Sequence, residues 1–118
     1  MSDGLTEMGR HEQALASAQE ATEHYRRLAE AAPGDYLPDL ADSLNTLAIF
    51  LADMGRHEQA LASAQEAITI CRRLAETAPE TYLPDLATFL NNLAHFLAEV
   101  GRREQALTSV EEALTIRR

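Results

Sequence analysis

Lysine and tryptophan are absent from this 118-residue chain, and Cys71 is the one cysteine. A lone cysteine cannot close an intramolecular disulfide, so the fold must rest on packing alone. Three tyrosines and three phenylalanines are few for a β protein, whereas alanine and leucine abound, which suits close helix packing better than pleated sheet. Long apolar runs are also missing. The longest, Leu47–Ala52, is far too short to cross a bilayer, and the N-terminus carries no basic-plus-apolar leader, so a cytoplasmic protein without a membrane partner is expected. Positive charge is scarce as well. Ten arginines face nineteen acidic residues, and a net charge of −9 repels a phosphate backbone, which argues against a nucleic-acid partner. The use of arginine to the exclusion of lysine fits a GC-rich bacterial genome. The acidic excess has an ordinary reading, solubility, and a sharper one, an acidic groove for a basic ligand.

What the chain has is repetition. MGRHEQALASAQEA starts at Met8 and again at Met54, and a looser copy, VGRREQALTSVEEA, starts at Val100. Gly9, Gly55 and Gly101 are therefore 46 residues apart, and YLPDLA recurs at the same interval, at Tyr36–Ala41 and Tyr82–Ala87. Aligned over this period, Met8–Asp53 and Met54–Glu99 agree at about three positions in four, a degree of identity that points to recent duplication or consensus design.

Within a period, Leu40, Leu44, Leu47, Ala48, Leu51 and Met54 recur at three- and four-residue steps and form one stripe of a helix, called A below. Helix A is expected to open near Pro38 and to close at Gly55 in a left-handed cap. Ala60, Leu61, Ala64, Ala67, Ile68, Cys71 and Ala75 mark a longer helix B ending before Pro79, with Ala78–Leu83 as the connector to the next helix A. Such a hairpin cannot bury both apolar faces alone, so successive hairpins must stack. The expected fold is all-α, a right-handed solenoid of antiparallel helix hairpins in one domain, 1–118. It divides into a partial repeat 1–37, a full repeat 38–83 and a repeat 84–118 truncated at its C-terminal end. Ala48, Ala60, Ala67, Ala94, Ala106 and Ala113 would let the backbones approach closely.

These residues carry a resemblance. Leu44, Leu47, Ala48, Leu51, Gly55, Ala60, Leu61 and Ala67, and again Leu90, Leu93, Ala94, Leu97, Gly101, Ala106, Leu107 and Ala113, follow a pattern similar to the tetratricopeptide repeat. LNTLA at Leu44–Ala48 and LNNLA at Leu90–Ala94 resemble its long-repeat subgroup, which includes kinesin light chains and bacterial multi-repeat regulators. The period of 46 departs from the usual 34, and Pro33 and Pro79 come later than the proline that normally ends helix B, which lengthens helix B by about two turns.

The resemblance implies that helix A lines the concave surface and that asparagines of LNNLA-like stretches hydrogen-bond the main chain of an extended peptide. Away from the core stripe, Asp42, Asn45, Ile49 and Asp53 share one face, and Thr88, Asn91, His95 and Glu99 repeat it. These eight are the candidate peptide-binding residues, with Asn45 and Asn91 foremost; the competing role for the asparagines is to hold neighbouring helices in register. Asn92 and Thr46 lie on a different face and are expected to be structural.

Enzyme motifs fail. His11-Glu12 and His57-Glu58 begin like HExxH, but Leu15 and Leu61 stand where the second ligand would be. The glycines are isolated helix terminators and Ser17, Ser63 and Ser109 sit in no nucleophile elbow. No catalytic residue, cofactor or metal is expected. The leading expectation is a protein-interaction scaffold that holds a peptide or partner helix on the helix-A face. The alternatives are a self-assembling module, with self-association through uncapped ends, and the sensor part of a larger signalling protein. The first is motivated by Met1–Met8, which supply only the last turns of a helix A, and by helix B ending at Arg118, the counterpart of Arg72.

Overall fold

A computed structural model describes residues 3–117. Five helices follow in order, α1 (Asp3–Ala31), α2 (Pro33–Asp53), α3 (His57–Thr77), α4 (Pro79–Glu99) and α5 (Arg103–Arg117). In repeat terms α2 and α4 are helices A, and α1, α3 and α5 are helices B.

Proline sets two of the joints. Ala32 (φ −144°, ψ 76°) and Ala78 (φ −139°, ψ 69°) each stand alone between two helices. The ring of the following proline excludes the helical conformation from the residue before it, so α1 and α3 stop there. The same ring presets the first φ of α2 and α4. Helix A therefore starts at Pro33 and Pro79, five residues before Pro38 and Pro84, and the expected connector Ala78–Leu83 is almost entirely helix. Pro38 and Pro84 lie inside their helices, where each deprives one carbonyl, Gly34 or Glu80, of its helical donor. Both residues are exposed, so water can take the vacated acceptor.

The other joints are glycine caps, as expected. Gly55 (φ 78°) and Gly101 (φ 83°) are left-handed. Around the first, the Arg56 amide reaches the Leu51 carbonyl at 2.9 Å and the Gly55 amide reaches that of Ala52 at 3.0 Å. Arg102 and Gly101 repeat both bonds with Leu97 and Ala98. This is the double closure of a Schellman turn, which satisfies carbonyls the helix end would leave unpaired.

Gly9, the third glycine of the series, does not terminate a helix. It lies within unbroken α1, and the positive-φ residues among those described are Gly55 and Gly101 alone. A reversal is worth forming when a helix on its far side packs back against the next one. Running straight on at Gly9 keeps every backbone bond at the cost of one helical glycine, about 1 kcal/mol.

Among the described residues each helix packs closely on its neighbours in sequence and α2 also touches α4, while α1 and α5 reach α3 through side chains. The result is a slab, 51 × 38 × 19 Å, a stack of antiparallel helices with the repeat arrangement of a tetratricopeptide-like solenoid. Its main core joins Leu40, Leu44, Leu61, Ile68, Leu86, Phe89, Leu90, Leu93 and Phe96. A second cluster of Leu15, Leu47, Leu51 and Ala60 closes the α1–α2–α3 end. The six alanines singled out for close approach are all buried. Outside the core the B helices are tied one repeat apart by equivalent ion pairs: Arg26 Nη1 meets Glu66 at 2.6 Å and Arg72 chelates Glu112.

Candidate functional site

The faces of α2 and α4 that turn away from the core stripe are open, as the helical periodicity requires. Asp42, Ile49 and Asp53 on α2, and Thr88, His95 and Glu99 on α4, are exposed, while Asn45 and Asn91 are half-buried. The α2–α4 contact sets the two rows side by side.

The two asparagines differ in what they do. Asn45 Oδ1 accepts a hydrogen bond from Asn92 Nδ2 at 3.2 Å, which ties α2 to α4. Asn92 thus has the structural role expected of it, and it recruits half of Asn45's amide; the Asn45 NH2 group stays uncommitted among the described residues. Asn91 makes no side-chain hydrogen bond there at all, so an amide that can both donate and accept is presented whole. Thr88 turns its hydroxyl back on its own helix, to the Pro84 carbonyl at 3.2 Å.

Glu99 is the meeting point of the C-terminal end of the face. Its Oε1 lies 2.8 Å from His95 Nε2 and its Oε2 lies 3.4 Å from His57 Nδ1, at the start of α3. His57 was not among the candidate residues. Its neighbourhood to Glu99 depends on how α3 emerges from the Gly55 turn and meets the end of α4, a relation across 42 residues that a single-helix wheel does not contain. No group of three or more histidine, cysteine or acidic side chains among the described residues is arranged to hold a metal ion.

At the N-terminal end the face is acidic. Burial raises the Asp42 carboxyl above the usual carboxylate range, and the negative charges of Asp85 and then Asp39 push it the same way. Beneath them is Cys71, fully buried, its thiol 3.5 Å from the Tyr82 carbonyl. Burial, then Asp85 and Asp42, push that thiol to about 11, so it stays protonated and unreactive at neutral pH. Arginine is kept off the A helices. α2 and α4 carry Asp35, Asp39, Asp42, Asp53, Glu80, Asp85 and Glu99 and not one arginine, every arginine lying on a B helix, in a turn after helix A, or at the C-terminus.

Comparison with known proteins agrees with this architecture. Two family models, both described as tetratricopeptide repeat, match residues 1–73 and 86–118. A search of curated proteins finds no match. Among solved structures, the chain is similar to BtubC (BKLC) from P. vanneervenii, a kinesin light chain-like tetratricopeptide protein, with a TM-score of 0.69 and 29% sequence identity. The match covers 90% of this chain and 40% of that one. Tetratricopeptide repeats generally mediate protein–protein interaction and are generally non-catalytic. No described helix is long and apolar enough to cross a membrane.

Proposed function

Because this chain belongs to the tetratricopeptide repeat family, we propose that it is an interaction module holding a basic peptide segment, extended or helical, on the joint face of α2 and α4. The observation that carries the reading is the state of that face: a half-buried Asn91 amide on α4 with no side-chain hydrogen bond among the described residues, on one of two neighbouring helices that together bear seven acids and no arginine. A half-buried amide is suited to the alternating donors and acceptors of a peptide main chain. Carboxylates unpaired with arginine on their own helices attract lysine and arginine side chains of a ligand and disfavour acidic ones. Asp42, Asp53 and Glu99 supply this charge at the two ends of the rows, with Asn45, Ile49, Thr88 and His95 along the walls.

The test is calorimetry with a basic peptide selected from a library against the wild-type chain. Asn91→Ala is expected to weaken binding about tenfold, the worth of a hydrogen bond or two in a desolvated site, with an unchanged melting temperature. Equal affinity of the variant would remove the site from this face.

A further inference from the structure

Histidine is the side chain whose charge ordinarily changes near neutral pH, and the chain has four, His11, His24, His57 and His95. Two of them meet on one carboxylate. His95 Nε2, one turn before Glu99 on α4, lies 2.8 Å from Glu99 Oε1, and Nδ1 of His57, the first residue of α3, lies 3.4 Å from Glu99 Oε2. That His57 nitrogen is buried and has no hydrogen-bond partner among the described residues, an orphan that a small rotation towards Glu99 would satisfy.

The surrounding charges do not duplicate this contact. Arg56 and Glu58 flank His57 in sequence, and Glu58 is engaged at 3.2 Å by Arg102, in the turn after α4. Asp53 at the end of α2 and Arg103 at the start of α5 are exposed. The ion pairs that α1 and α5 make with α3 fall further along it, at Glu66 and Arg72. The start of α3 also lacks a side-chain cap, and a helix N-terminus favours a nearby carboxylate, so Glu99 is held where both imidazoles reach it.

One carboxylate with two neutral imidazoles is a net anion. The same carboxylate with two imidazolium rings is a net cation, so protonation reverses the sign of this end of the face. The arrangement belongs to one repeat: Asp53 is the counterpart of Glu99 on α2, but Ile49 stands where α4 has His95. Asp42, whose carboxyl is raised by burial and by Asp85 and Asp39, is at the opposite end of the rows. It is roughly 16 Å away along the helix direction, about two screening lengths at physiological salt.

Resting on the reading of the α2–α4 face as a site for basic segments, we propose that His57, His95 and Glu99 form a proton-operated gate at its C-terminal end. At mildly alkaline pH the trio attracts a lysine or arginine of the ligand, and at mildly acidic pH it repels one. His57 comes from a helix outside the face, so the gate couples the α3–α4 packing to what the face can hold.

The first test needs no ligand. The side-chain carboxyl carbon of Glu99 is followed by NMR from about pH 8 to about pH 6, a window above the ordinary carboxylate range. Its resonance should move with imidazole protonation, and the movement should vanish when His57→Gln and His95→Gln are combined. The second test is calorimetry with an oligolysine peptide. Wild-type affinity should fall about fivefold or more from about pH 8 to about pH 6. The double variant should bind equally at both, and His24→Gln, at an exposed position on α1, should follow the wild type. A Glu99 carbon that stays silent, or a fall in affinity that survives in the double variant, overturns the gate alone. Failure of oligolysine to bind at either pH overturns the basic-segment reading and the gate with it.

Discussion

Ala60 shows how strictly single positions are constrained. It has no exposed surface and lies where α3 meets α2 at the end of the second core cluster. A residue with one methyl group there sets the distance between two backbones, so an indole has nowhere to go. Ala60→Trp should cost about 3 kcal/mol or more, read as a loss in chemical-denaturation midpoint. Asp42 makes a different kind of demand. Its carboxyl is raised by burial and by Asp85 and Asp39, so the folded state binds its proton more tightly than the unfolded state does. Its ionisation therefore opposes folding at neutral pH, and stability is regained as pH falls through the raised value. Asp42→Asn should raise the melting temperature at about pH 7, with the gain vanishing at about pH 3, where both states are protonated. A variant less stable at neutral pH would show that the carboxylate has a favourable partner instead. Glu112 runs the other way, held below the usual range by its bond to Arg72, so its contribution is present above the ordinary carboxylate range and fades as pH falls. Being partly exposed, that pair adds little at any pH.

At the scale of elements, the three equivalent glycines divide into two classes that a stability measurement separates. Gly55 and Gly101 hold positive φ with open space around them, so only the backbone conformation penalises a side chain. Gly55→Ala should destabilise by about 1–2 kcal/mol. Gly9 is helical with the same open surroundings, and Gly9→Ala should stabilise by up to about 1 kcal/mol. Equal signs for the two would mean that α1 turns at Gly9 after all. The sequence carried the helix stripes, the two caps and the buried alanines plainly, because each rests on local chemistry and a strict period. It misled at Gly9 and at the start of helix A, for two reasons. A motif copied by duplication keeps its letters where the surrounding packing has changed, and Pro33 and Pro79 initiate a helix as readily as they end one.

At the scale of the molecule, the repeat segregates arginine by layer: α2 and α4 carry acids and no arginine, while the B helices carry both signs. The net charge alone left an ordinary solubility reading open. It becomes an argument about ligands once the two A helices are seen side by side with no arginine between them. Six of the eight candidate residues are exposed and Asn45 and Asn91 are half-buried, an accessibility that a helical wheel gives directly. The Asn45–Asn92 bond and the Glu99–His57 approach were out of its reach, since both depend on how successive helices cross. The central claim is that the α2–α4 face receives a basic segment. It is tested most directly by titrating the isotope-labelled chain with basic, neutral and acidic members of a peptide library and following amide shifts by NMR. Saturable shifts are expected for basic members, centred on Asp42, Asn45, Asp85 and Asn91, weakening as salt rises and lost in Asn91→Ala. Shifts that are indifferent to peptide charge, or that map to the B helices, would contradict it.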